Sequence, residues 1–384
     1  MNPDLPPQRI QTTLIYKHHK TLLLGVLFTL ITFYSHFYLN IYITTLIAAI
    51  AIAMLSISVS EVADVLAERL DEPYGSFVLT FSAVIVEIIL LFMILLAASH
   101  NPNAMETVKG GIISAVIVDM NVLLGLAVFI GGLAFKEQEH NEDTSSTYTT
   151  ILLVAASALL VPSMLHYTNP NDDNLMISSI LIAVLLMAFY IVIFIFQTKT
   201  HTHFFKSTAK SRIFRYKKRL ETEEEVEHDD FFDTVPTSIN FAIIFFLIAL
   251  IGITAEVFAT EGMQLVAEYD FPIGLAGLVI AIISVSPEIV TAVKAAKNDQ
   301  IQRVVNIAMG ASVVSIMLTV PILMALSFLT PTPLTLDFNA LQIGALILTV
   351  LLAWKTTDDG ETNYFEGTSH LFFFLCYAIV VAFH

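Results

Sequence analysis

Glu87 is the only charged residue between Ser76 and Ser99, and Glu288 the only one between Phe271 and Val293. Both stretches are long and apolar enough to cross a bilayer, which puts each carboxylate deep in hydrocarbon. A charge there costs roughly 2.5–3.5 kcal/mol on insertion scales, and such residues face a cavity and mark an ion or proton route. Two carboxylates in a low-dielectric place repel each other, and either protons or a cation can neutralise them. Cation and proton then compete for the same oxygens, which is the chemistry of exchange. The two segments also look alike. Gly75 precedes Glu87 by twelve residues and Gly277 precedes Glu288 by eleven, and each half then carries Asn-x-x-x-Gly, Asn121 to Gly125 and Asn306 to Gly310. The chain reads as a duplicated membrane transporter with Glu87 and Glu288 as its metal- and proton-binding acids.

The neighbouring residues supply candidate partners. On a helix Ser284 lies one turn before Glu288, Ala83 takes the matching place before Glu87, and Thr80 lies two turns before Glu87. Pro287 leaves the carbonyl of Ile283 without its helical donor and pushes the helix to kink. A free carbonyl at membrane depth is a natural cation ligand, and a merely bent, packed helix is the plainer reading. Asn121 and Asn306 are expected to line the site. The competing role is bonding between helices, worth about 0.6 kcal/mol each, with Gly125 and Gly310 allowing close packing. Asp119, Glu61 and Glu256 are candidates for a proton path, and Ser312 and Ser315 follow Gly310 on the same span.

These residues need helices to carry them, and the composition provides for that. With 56% hydrophobic and 14% charged residues, the 384-residue chain is excluded from the soluble class. Apolar runs near the length of a span, about 20 residues, fall at 21–36, 40–58, 76–99, 110–134, 150–166, 175–197, 238–260, 272–293, 302–329, 340–354 and 369–383, eleven in all. Lys and Arg check this count, because cytoplasmic loops collect positive charge. With the N-terminus inside, every Lys and Arg falls in a cytoplasmic segment except Lys109. The net charge of −16 lies mostly in loops and one linker. It calls for no basic or nucleic-acid partner, so the expected partners are the bilayer, inorganic cations and protons. Residues 1–20 read as a polar leader rather than a cleaved signal, since no small-residue cleavage site follows the first run. The single cysteine, Cys376, can form no disulfide within the chain.

The chain divides into four segments: a leader and first helix over 1–39, a first repeat over 40–197, a cytosolic linker over 198–237 and a second repeat over 238–384. The linker changes sign along its length. Seven Lys and Arg from Lys206 to Arg219 precede eight Asp and Glu from Glu221 to Asp233. The acidic half is either a solvated segment or a cation-sensing regulator. If the first helix is an addition, each repeat has five spans, and an odd number inverts the second repeat against the first. Inverted repeats place a binding site near the midplane where the halves meet. Ser60-Glu61-Val62 and Ala255-Glu256-Val257 add a further parallel between them.

The stretch EVADVLAERLDEPYGSFVLTFSAVIVE, Glu61 to Glu87, resembles the first α-repeat of the ChaA-type cation/proton antiporters, within the cation/calcium exchanger superfamily. SPEIVTAVKAAKNDQIQRVVNIAMGASVVSIMLTVP, Ser286 to Pro321, resembles the second. The resemblance implies an all-α polytopic fold of eleven transmembrane helices, exchange of Ca²⁺ or Na⁺, with K⁺ a further cargo, against H⁺, and ion binding by Glu87 and Glu288. It also likens the segment after Glu221 to a cytosolic acidic helix. The calcium branch closes each acid with Gly-Asn-x-x-Glu, whereas this chain has Ala83-Val84 and Ser284-Val285, so two amide ligands are missing. Ile289 stands where a histidine often follows the second acid.

The expected function is a secondary active antiporter working by alternating access, with Ca²⁺ the first cargo considered and Na⁺ or K⁺ the alternatives. It needs no cofactor and is not an enzyme. The setting is a bacterial inner membrane, with the N-terminus cytoplasmic and the C-terminus external. The competing classes are a cation channel and an intramembrane acid-dyad enzyme, and the latter lacks any Gly-x-Gly-Asp or His-Glu-x-x-His. Stoichiometry and oligomeric state are not set by these residues.

Overall fold

The computed structural model describes residues 20–70, 74–97, 101, 103–168, 174–205, 231–269 and 271–383. The leader and the charges of the linker from Lys206 to Asp230 lie outside the described residues. Eleven helices among the described residues are long and apolar enough to span a membrane. They are α1 (Lys20–Tyr38), α2 (Ile41–Arg69), α3 (Tyr74–Ala97), α4 (Asn103–Phe135), α5 (Glu142–Thr168) and α6 (Leu175–Thr200). After the linker come α7 (Thr237–Glu268), α8 (Ile273–Ala296), α9 (Ile301–Ser327), α10 (Ala340–Thr357) and α11 (Tyr364–Phe383).

Several helices outrun the apolar stretches that announced them. α2 continues to Arg69 and α7 to Glu268, because a helix need not end where hydrocarbon does and polar turns can stand beyond it in water. Local signals set other ends. Asn40 caps α2 by accepting from Tyr42 N at 2.9 Å, and Asn339 with Gln342 forms a capping box on α10.

The loop contacts sort onto two faces. On one face β1 (Glu137–Glu139), after α4, pairs antiparallel with β2 (Glu361–Asn363), after α10. Arg303 at the start of α9 bonds Asp64 near the end of α2 at 2.8 Å. On the opposite face Asn101 donates to Met263 O at 2.7 Å, and the hydroxyls of Ser163 and Ser179 receive the backbone N–H of Phe338 and Leu336. Loops after even-numbered helices thus meet only one another in these contacts, as eleven alternating crossings require. Lys109, the one cation expected outside, is buried on α4 beside Asp337 at 3.0 Å and Glu106 at 3.3 Å.

α4 and α9 are the two most enclosed helices. α4 lies against α8 and α11, and two glycine contacts explain how closely. A Cβ on Gly277 would sit 2.7 Å from Gly111 N, and one on Gly367 would sit 2.7 Å from Gly125 O. Both central helices also contain a π-helical turn, Asp119–Leu124 in α4 and Ser315–Thr319 in α9. Such turns widen the helix and re-aim side chains, frequently at functional sites. They occur in equivalent members of the two five-helix halves, α2–α6 and α7–α11.

Candidate functional site

α3 and α8 deliver Glu87 and Glu288 to one small cavity between the halves, and the π turn of α4 delivers Asp119 to it. The space open to a water centre is about 10 Å³, close to the least that holds one water. It suits a single small ion. All three acids are buried, with Glu87 6%, Asp119 1% and Glu288 8% exposed. No Lys, Arg or His stands among the described residues that line it.

α9 supplies the hydroxyls. Ser315 Oγ donates to Glu87 Oε2 at 2.8 Å and Thr319 Oγ1 to the same oxygen at 3.3 Å, while Ser312 Oγ donates to Asp119 Oδ2 at 3.1 Å. The other oxygens, Glu87 Oε1 and Asp119 Oδ1, are buried with no hydrogen-bond partner. An unpartnered buried carboxylate oxygen is expensive unless a proton or a cation sits on it. Ser284 also lines the cavity, and its hydroxyl donates back to Ala281 O at 3.0 Å, which leaves its lone pairs free to face an ion. Among the described residues no three acids, histidines or cysteines gather tightly enough for a metal cage.

The other expected site residues are placed elsewhere. Thr80 is half-buried on α3 and does not line the cavity. Pro287 sits inside α8, and the carbonyl of Ile283 that it deprives of a donor accepts from Ser286 Oγ at 2.8 Å. Asn121 bonds Thr349 on α10, and Asn306 donates to Phe205 O at 2.9 Å beside the linker, so both amides join segments instead of facing the cavity. Glu61 is half-buried on α2 and Glu256 exposed on α7, neither of them among the lining residues. Ala83, Val84 and Val285 do line it, so apolar surface stands where the resemblance expects two amides.

Asp119, expected on an approach path, is therefore a wall of the cavity itself, and Thr319 was missed. Its signal was available: Ser312, Ser315 and Thr319 stand at i, i+3 and i+7, a polar stripe along one helix face in an apolar span.

Two five-helix halves that meet at a buried acidic cavity have the architecture of an inverted-repeat membrane transporter. The chain belongs to the sodium/calcium exchanger protein family, whose model matches residues 35–199 and 239–383. It is 29% identical over 342 residues to the sodium-potassium/proton antiporter ChaA of Escherichia coli, covering 88% of each chain. It is 24% identical over 301 residues to a Ca(2+)/H(+) antiporter of Synechocystis, covering 76% of this chain and 79% of that one. Its fold is similar to the solved structure of native YfkE, with a TM-score of 0.74 over 95% of this chain and 100% of that one, at 18% identity.

Proposed function

We propose that this protein is a secondary active antiporter that exchanges a cation for H⁺ by alternating access, with Glu87 and Glu288 binding either cargo. The observation that carries this reading is the pair of unpartnered buried oxygens, Glu87 Oε1 and Asp119 Oδ1, in a cavity the size of one ion. Carboxylates at that depth are tolerable only when their charge is cancelled. Protons and a cation cancel it at the same oxygens, so occupancy by one excludes the other. If the two halves rock only when the site is neutral, neither cargo leaks and each turnover swaps one for the other.

Ca²⁺ is the cargo that the charge favours, because three carboxyls flank the cavity and a divalent ion cancels more of that charge than a monovalent one. The runner-up is Na⁺ or K⁺, favoured by Val84 and Val285, since Ca²⁺ takes six to eight oxygens and these residues offer none. The names of the two relatives divide the same way. The protein is further proposed to lie in a bacterial inner membrane with the N-terminus cytoplasmic and the C-terminus external, on the placement of Lys and Arg.

Purified protein in proteoliposomes with a pH gradient, given Ca²⁺, Na⁺ or K⁺ separately, tests both points. Saturable cation uptake that dissipates the pH gradient is expected, with Ca²⁺ moved at the lowest concentration. Flux of one ion without an opposing gradient would indicate a channel, and a Na⁺ or K⁺ preference would establish the runner-up.

A further inference from the structure

Asn121 lies in the π turn of α4, two residues after Asp119, and its side chain turns away from the cavity into a second buried polar cluster. Its Nδ2 donates to Ile117 O at 3.1 Å and to Thr349 Oγ1 on α10 at 2.9 Å. Its Oδ1 lies 2.9 Å from Nδ1 of His370 on α11. An amide oxygen only accepts, so Nδ1 of His370 carries the hydrogen. Nε2 of the same ring faces Thr356 Oγ1 at 3.0 Å. His370, Asn121, Thr349 and Thr356 are all 1% exposed or less.

The bonds across to α10 and α11 are the informative ones. The bond to Ile117 O joins the amide to its own helix, and a carbonyl has two lone pairs, so it excludes no backbone donor. Those to Thr349 and His370 fasten the turn from two other helices. A return of the turn to α register would rotate the side chains beyond it by about 100° per residue gained or lost. The π turn of α9 is different, since its Ser315 and Thr319 bond Glu87 directly. The α4 turn is held instead by a cluster away from the cavity, and α11 is well placed to hold it. Gly367, one turn before His370, leaves no room for a Cβ against the backbone of Phe129.

We propose that His370 is a positioning residue for the exchange site: through Asn121 it keeps the π turn of α4 in the register that aims Asp119 into the cavity. This rests on the exchange reading for its consequence, though not for its structural part. Loss of the His370 bond leaves Asn121 tied across helices by Thr349 alone, the turn samples α register more often, and the Asp119 carboxyl spends less time beside Glu87 and Glu288. The cation then binds more weakly while the two glutamates still exchange it.

The test uses the full chain in proteoliposomes. His370→Leu should raise the cation half-saturation concentration about tenfold with a much smaller change in maximal rate. His370→Asn, which can donate from near the position of Nδ1, should restore most of the affinity. The double variant His370→Leu with Asn121→Leu should be no worse than Asn121→Leu alone, whereas His370→Leu and Thr319→Val, on different turns, should combine additively. Hydrogen exchange of amides 119–124, read by mass spectrometry, should be faster in His370→Leu and near normal in His370→Asn. Wild-type half-saturation in folded His370→Leu, full additivity with Asn121→Leu, or unchanged protection of the turn would overturn the proposal. If the wild-type protein moves no cation, the exchange reading fails, and the hydrogen-exchange result alone decides whether His370 sets the turn.

Discussion

At the scale of single residues the site divides its labour between charge and restraint. Glu87 and Glu288 stand on opposite halves, and each can be replaced by glutamine with its volume kept but its proton and charge lost. Glu87→Gln and Glu288→Gln should each abolish exchange while the protein still elutes as a folded species. Retained proton-coupled flux in either variant would remove them from the site. Asp119 is held as Glu87 is, with Ser312 on one oxygen and the other unpartnered, but it comes from the π turn of α4. Asp119→Asn should weaken Ca²⁺ half-saturation on the order of tenfold and Na⁺ less, since the interaction with a lost carboxylate scales with cargo charge. Equal losses for both ions, measured in parallel flux titrations, would mean that Asp119 shapes the cavity without addressing the ion.

Among the elements, contact between α4 and α8 is set by glycine. A methyl on Gly277 would meet backbone atoms of Gly110 and Gly111 at 2.8 and 2.7 Å, and backbone cannot step aside. Gly277→Ala should therefore cost about 1–3 kcal/mol of stability despite the better helix propensity of alanine. Gly344→Ala on α10, where nothing lies within 4 Å, should be neutral or slightly stabilising. Thermal unfolding in detergent compares the two. The loop between β1 and α5 gives a pH effect. His140 is buried there, with its ring 3.4 Å from Thr357 O, and burial holds it below the usual imidazole range. In the unfolded chain the ring takes up a proton near pH 6.5, while the folded chain resists until lower pH. Stability from this group is complete above that value and declines as pH falls through the window. His140→Gln should lose less Tm than wild type between about pH 7.5 and about 5.5, and an equal loss would show that the ring contributes nothing there.

At the scale of the whole molecule, eleven alternating crossings would put the termini on opposite sides, and the loop contacts of the two faces agree with that alternation. A reporter fused to the N-terminus should respond as cytoplasmic and one at the C-terminus as external. Both on one side would break the antiparallel relation of α3 and α8, and with it the inverted relation of the halves. The strand pair Glu137–Glu139 with Glu361–Asn363 fastens the end of α4 to the start of α11, so one face of the first half is tied to the second. Rocking of the halves would have to carry that tie along or release it.

The number of helices, their alternation and the two lone glutamates were legible in the sequence, because hydrocarbon enforces one rule on every span: apolar throughout, with exceptions only for function. Tertiary structure decided which polar groups meet. Asn121 and Asn306 occupy like places in a repeated motif, yet one bonds Thr349 and His370 and the other Phe205 O beside the linker, since the neighbours of each come from segments far away in the chain. Ile283's freed carbonyl found Ser286, and Asp119 entered the cavity because its helix departs from α geometry just there. A periodic pattern carries no mark of a π turn, nor of the bonds from α10 and α11 that meet the one in α4. The acids of the site could thus be read one by one, and their convergence only from the packing of α3, α4, α8 and α9.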